Sequence, residues 1–337
     1  MENKPTQSGV ILEDIKPEDC LFGSFGDTTI RVPDGNWIKY LPKNEKQRNG
    51  FESMCCTNFS STTAVEILMT RLIEDKLISI GNLAWLNENG YIDDSGHINF
   101  SDRFDAIVSG TTLSGNTLKA PADAKHKYGL IPESMLPWTD NQDEYFKKSN
   151  VTTEMYNLGL EFLKRFQINY EFVYPADYQT ALRVSPLASA CYAWNGTNDG
   201  VYYKVSSAIN HAICVFRQPD PWAIMDSYEP FQKLLSLNYQ FSGHGRTHLF
   251  YGATKSSIDN ILDQGFTGEG PQNLIMYASV ADFNGDNCGD IAVGGWGYPN
   301  GTNQGRVWLY YGRPPSSTDI TLHWDTTNAS VGEYILG

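Results

Sequence analysis

The chain has 337 residues, of which 41% are hydrophobic and 19% charged, a length that suits two domains. It holds no apolar run long enough to cross a bilayer as a helix, so no membrane span is expected. Its net charge of −14 argues against a nucleic-acid surface and suits carboxylate clusters that hold cations.

The opening residues, MENKPTQSGVILEDIKPEDC, lack the basic cap and apolar stretch of a secretory leader, and residues 1–20 read as an extended lead-in. A helix is expected from the paired Cys55 and Cys56, because in CTNFSSTTAVEILMTRLIEDKL apolar residues recur at 59, 64, 67, 68 and 72. Further helical patterns lie near 117–129 and 153–167, and ADYQTALRV after Pro175 reads as a short helix. Strand-like runs follow at 187–194, 212–217 and 222–227. Helices come first and strands afterwards, the order of an α+β domain of two lobes rather than an alternating βαβ sheet. The cysteines, at 20, 55, 56, 191, 214 and 288, include no CxxC pair and suggest free thiols in a reducing compartment. Cys191 and Cys214 fall in apolar runs and read as core thiols.

A thiolate nucleophile needs a stabilised anion, a base within reach and a group that orients the base. Cys56 stands where the first helix begins, at the positive end of its dipole. NHAICVF puts His211 at the head of a strand, and WAIMDSYEP puts Asp226 at the end of the next. Antiparallel pairing of these two strands would set His211 beside Asp226. Cys55 is the rival nucleophile. His97, His126, His244, His248 and His323 have no paired metal-ligand spacing.

From about residue 240 the texture changes to Gly, Asn, Asp and Tyr, and the chain repeats itself. GRTHLFYG from Gly245 returns 60 residues later as GRVWLYYG from Gly305, and SSIDNIL from Ser256 returns as SSTDITL from Ser316. A fixed period with short Gly-punctuated strands points to propeller blades. Between the repeated strands, ADFNGDNCGDIAVGG sets side-chain oxygens at alternate loop positions: Asp282, Asn284, Asp286 and Asp290, with the Cys288 backbone carbonyl between the last two. Such a loop wraps a hard cation, here Ca2+. Asn287 takes the place where positive φ usually calls for Gly. The competing reading is a plain polar turn. Fewer than two periods fit into residues 240–337, so an incomplete piece of a larger propeller is expected.

The segment 245–337, with D-x-N-G-D-x-x-x-D-I-A-V-G-G followed by G-R-V-W-L-Y-Y-G, resembles the FG-GAP repeats of integrin α-subunit propellers. Residues 20–238 resemble the papain-like cysteine peptidases, closest to divergent phage and microbial members. CTNFS is similar to that family's C-W-A-F-S helix start, NHAICVF to its N-H-A-V strand, WAIMDSYEP to its K-N-S-W-G segment, and ADAKHKYGLIPESMLPW to the stretch ending G-I-x-x-E-x-x-Y-P. The resemblance implies Cys56 as nucleophile, favoured over Cys55 by the CxxFS frame, His211 as general base and acid, and Asp226 as imidazole orienter. It also implies Gln47 as an oxyanion-hole donor, although Gln47 lies nine residues before Cys56 where the family has about six. Thr57 and Tyr228 replace tryptophans of the family pattern, and Asp226 replaces its Asn. With only 55 residues ahead of Cys56, no inhibitory pro-segment is expected.

The expected organisation is therefore a lead-in over 1–20, a papain-like domain over 21–239 and an FG-GAP region over 240–337. Two function classes follow: a thiol peptidase acting on a peptide or protein, with amidase or transglutaminase chemistry as a variant, or an inactive papain-like fold whose calcium-stabilised repeats bind a protein partner. The compartment stays open, since the cysteines suggest a reducing compartment or virion and the repeat an extracellular one.

Overall fold

The computed structural model describes residues 9–16, 19–23, 29–204, 208–218, 221–236, 239, 241, 247–254, 274–281, 290–296, 305–311 and 321–329, with the backbone alone at 195–196 and from 247 onward. The chain divides into two compact units, Met1–Asp259 and Asn260–Gly337. The first mixes helix and sheet, as α+β requires.

The helices of the first unit are α1 (Cys56–Glu74), α2 (Ile80–Glu88), α3 (Asp102–Val108), α4 (Lys119–Tyr128), α5 (Gln142–Tyr145), α6 (Thr153–Arg165) and α7 (Tyr178–Leu182). A hairpin of β1 (Arg48–Asn49) and β2 (Phe51–Glu52) precedes α1. The remaining strands are β3 (Phe166–Val173), β4 (Leu187–Cys191), β5 (Trp194–Asn198), β6 (Val201–Lys204), β7 (His211–Arg217), β8 (Trp222–Met225), β9 (Gln232–Leu235) and β10 (Thr247–Thr254). They form one sheet in the order β3-β10-β4-β7-β8-β9-β6-β5.

α1 is buried almost all round, from Cys56 to Thr70, which is why its sequence shows so little amphipathic contrast. Several of its polar residues are bonded internally. Asn58 donates to Asp105 on α3 at 2.7 Å, and Lys125 of α4 donates to Asp105 at 2.7 Å and to Ser61 at 2.8 Å. This buried network pins the first turns of α1 between α3 and α4. The sheet divides the core by alternation. Ala188, Ala212, Cys214, Phe216 and Met225 join the cluster that holds Cys56, Ile67 and Leu68. Leu187, Cys191, Ile213, Val215, Ile224 and Leu235 join a second cluster with Tyr178, Leu182 and Trp194. The core thiols Cys191 and Cys214 are fully buried.

Two elements depart from expectation. The helical pattern at 153–167 ends at Arg165, and from Phe166 the chain becomes β3, which is buried along most of its length. β10, from the first copy of the 60-residue repeat, pairs along the whole of β3 and with β4. The division therefore falls at 259/260 and not near 240. Backbone pairing is indifferent to side chains, so a repeat motif can complete whichever sheet leaves room for it.

The second unit is a four-stranded antiparallel meander of β11 (Leu274–Ala281), β12 (Asp290–Trp296), β13 (Gly305–Tyr311) and β14 (Thr321–Ala329), in that spatial order. The second copy of the repeat, GRVWLYY, is β13.

Candidate active site

Cys56 is the first residue of α1, with Cys55 as N-cap; Asn58 and Phe59 donate backbone N–H to the Cys55 carbonyl. The chain reaches this point through a tight turn at Gly50 (φ 77°) and a left-handed Met54 (φ 58°). That turn is closed by Ser53, which donates both its N–H and its hydroxyl to the Gln47 carbonyl. The two adjacent thiols part company here. Cys55 donates to the Ser53 carbonyl, packs with Phe59, Ala106 and Tyr145, and has its pKa driven far up by burial. Cys56 turns towards His211.

His211 opens β7 and Asp226 follows β8. The antiparallel register runs Val215↔Ile224 and Cys214↔Met225, which places Asp226, one step further, on the His211 side of β7. His211 Nε2 lies 2.7 Å from Asp226 Oδ1. Nδ1 makes no hydrogen bond; besides Asp226, the Cys56 thiol acts on the protonation of the ring. Burial acts to lower the His211 pKa, but the charge and hydrogen bond of Asp226, with a smaller contribution from Cys56, overcome it and push the ring up to about 10. For Asp226 burial acts upward, and His211 and Lys233 outweigh it, leaving the carboxyl below its usual range. The raised pKa favours a protonated ring at neutral pH; the ring is held by a carboxylate and interacts with a thiol at the first residue of α1. Such a set can supply a nucleophile and donate a proton.

Aromatic rings enclose the imidazole. Trp194 meets it edge-on at 5.8 Å, and Tyr228 lies 5.4 Å away. Tyr228 thus stands over the His211–Asp226 pair. Gln47 is buried beside them, but its amide is occupied. Nε2 donates to Glu52 at 2.8 Å and to the Tyr228 hydroxyl at 2.9 Å, while Oε1 accepts from Ser227 at 2.7 Å. In this arrangement Gln47 ties the turn before α1 to the turn after β8. It meets an oxyanion only if one of those two donations is exchanged.

Three features were not foreseen from sequence. Lys233 of β9 is buried and donates to Asp226 Oδ2 at 2.6 Å and to the Tyr228 and Pro230 carbonyls at 2.7 and 2.5 Å. Its inward position has a signal: in QKLL burial alternates, so Lys233 shares a face with Leu235. A group of acidic side chains, Glu45, Glu66, Asp102 and Glu133, shows raised pKa values; burial and mutual repulsion push Glu133 up to about 8. The lead-in also runs onto the thiol. A Cβ built on Gly9 would lie 2.8 Å from Cys56 Sγ and 3.1 Å from the Met54 carbonyl oxygen. The strand is held there by Asn116, whose N–H donates to the Gly9 carbonyl at 3.1 Å and whose carbonyl accepts from Ile11 at 2.8 Å. Cys56 and His211 are each 1% exposed.

His126 Nδ1 lies 2.8 Å from the Ile168 carbonyl, tying α4 to β3. Of the expected calcium ligands, Asp282, Asn284, Asp286 and Cys288 lie outside the described residues, and Asp290 opens β12, where the backbone alone is described. The donor set, carboxylates with an amide and a backbone carbonyl, is all oxygen and fits a hard cation. Among the described residues no helix is long and apolar enough to cross a membrane.

Comparison with curated proteins found no match to the chain. The FG-GAP repeat family model matches residues 278–310, a stretch that begins in β11, includes β12 and ends in β13, so this part of the chain is similar to an FG-GAP repeat.

Proposed function

We propose that the first unit is a thiol-dependent hydrolase of papain-like type, acting on the amide bond of a peptide or protein through Cys56, His211 and Asp226. The observation that carries the reading is the buried His211–Asp226 pair facing a thiol at the first residue of α1. In the reaction the Cys56 sulfur attacks the carbonyl carbon, and a C–S bond forms. His211 gives its proton to the departing nitrogen as the C–N bond breaks, leaving a thioester. His211, now neutral, takes a proton from water, whose oxygen displaces the sulfur and releases the acid. Asp226 holds the ring in place throughout. The Cys56 N–H is the first oxyanion donor, and Gln47 the second once its Nε2 is exchanged. Amidase or transglutaminase chemistry would use the same groups with a different acyl acceptor.

The second unit is proposed to be a calcium-binding module of FG-GAP type, a single blade-like sheet of a propeller architecture, with Asp282, Asn284, Asp286, Asp290 and the Cys288 carbonyl as ligands. Repeats of this kind suit contact with a protein partner.

A second reading is a binding protein without catalysis. It is favoured by the burial of Cys56 beneath Gly9 and by the occupied amide of Gln47. Alkylation of the native protein with iodoacetamide, mapped by mass spectrometry, separates the two. Labelling of Cys56 ahead of Cys55, with loss of that preference in His211→Ala, supports the hydrolase. Equal, slow labelling of both thiols supports the binding protein.

A further inference from the structure

We infer that Lys233 is a positioning residue that balances the charge of Asp226, so that the Cys56–His211 pair works beside an aspartate as it would beside a neutral amide. The inference rests on the hydrolase reading and names a residue that the reading does not require.

A thiolate and an imidazolium together are neutral. An aspartate as third partner adds an uncompensated negative charge, which is costly where water is excluded. Asp226 is 5% exposed and Lys233 3%. The ammonium lies 2.6 Å from Oδ2 while His211 holds Oδ1, so one carboxylate is shared between two cations. All three ammonium protons have acceptors: Asp226, the Tyr228 carbonyl and the Pro230 carbonyl. The Trp194 and Tyr202 rings lie 5.1 and 5.7 Å from Nζ, and both favour a cation there. Thiolate, imidazolium, carboxylate and ammonium sum to zero.

Lys233 also sets how firmly the imidazolium holds its proton. A second cation on the same carboxylate draws charge away from the ring, leaving His211 a stronger acid than Asp226 alone would make it. Proton donation to a leaving amine needs that acidity. The other titratable groups around His211 and Asp226 are Cys56 on α1, Cys191 on β4, and Tyr228 and Tyr239 beyond β8 and β9; Glu52 bonds the Tyr228 hydroxyl, and Lys43 and Glu45 line the cavity beside Asp226. Lys43 is exposed, whereas Lys233 is buried on the carboxylate itself.

The test is the pH profile of Cys56 alkylation by iodoacetamide in the full-length chain. The compared proteins are wild type, Lys233→Met, Asp226→Asn and the double variant, each with thermal unfolding recorded. Lys233→Met should move the inflection that reports loss of the His211 proton upward by roughly one pH unit. Asp226→Asn, which strands the ammonium, should be the least stable of the set. The double variant, neutral again, should recover the stability and bring the inflection back below that of Lys233→Met. An unmoved inflection in Lys233→Met overturns the inference. If Lys233→Met unfolds, rescue by the added Asp226→Asn supports it, and a double variant no better than Lys233→Met overturns it. Labelling that is insensitive to His211→Ala would instead remove the hydrolase reading itself, so the two failures are distinguishable.

Discussion

Replacing Gly9 by Ala is a small change with a large expected effect on Cys56. The added Cβ would sit 2.8 Å from Sγ and 3.1 Å from the Met54 carbonyl oxygen, well inside the ordinary contact distance of about 3.5–4.0 Å. Relief requires the strand over residues 9–11 to lift. The opposite side offers no slack, because Gly115 (φ 82°) approaches so closely that its own Cβ would meet the Gly9 carbonyl. Overpacking of this kind costs about 1–3 kcal/mol. Lifting the strand gives up the two bonds to Asn116, each worth about 1 kcal/mol net. If the strain falls on the covered state alone, the ratio of open to covered forms rises roughly 5- to 150-fold, at about 1.4 kcal/mol per factor of ten. Iodoacetamide labelling of Cys56 under native conditions should accelerate by a similar factor, while Tm shifts by only a few degrees, since opening is local. Gly115→Ala should do the same from the other side. Unchanged or slower labelling in both variants would refute the claim that this strand controls access to the thiol.

Three further outcomes follow from the same structure. Lys125→Met strands the buried Asp105 carboxylate beneath the first turns of α1 and should destabilise the first unit by about 3–5 kcal/mol, read by urea unfolding; a loss under 1 kcal/mol would contradict it. Glu133 has a folded pKa near 8, above its ordinary value of 4.5, so its contribution to stability is full below about pH 4.5 and is lost as pH rises towards and through 8. Glu133→Gln should therefore raise Tm at pH 9 and leave it unchanged at pH 4, and equal shifts at both would count against the assignment. Chelation of calcium, or Asp286→Ala, should lower the melting transition of the second unit alone by mass action, and a calorimetric trace unmoved by chelator would remove the proposed metal site.

Much of the candidate site was legible because its residues carry local signals. Cys56 stands at the start of an apolar-periodic helix, and His211 and Asp226 lie at the ends of short strands separated by a tight connection, so pairing could be read from spacing. α2 and α3 were harder to read: their helical patterns are short, and the visible evidence is only the capping serines Ser79 and Ser101. Lys233 was hidden by a different rule, since a lysine in a strand reads as outward-facing until its partner is known. Gly9 has no local signal at all. Its contact with Cys56 is tertiary, and its value lies in the side chain it lacks. The repeated octapeptide was visible in the sequence, but not which sheet each copy would join.

The central claim is that His211 activates Cys56, and the most direct measurement is the rate of Cys56 alkylation at pH 6 in the native protein and in His211→Ala. A neighbouring imidazole that exchanges a proton with the thiol makes the sulfur a better nucleophile. The account predicts at least about a tenfold drop in His211→Ala, since loss of one unit-scale interaction is worth that factor, with Cys55 labelling unchanged. Equal rates in the two proteins would contradict it.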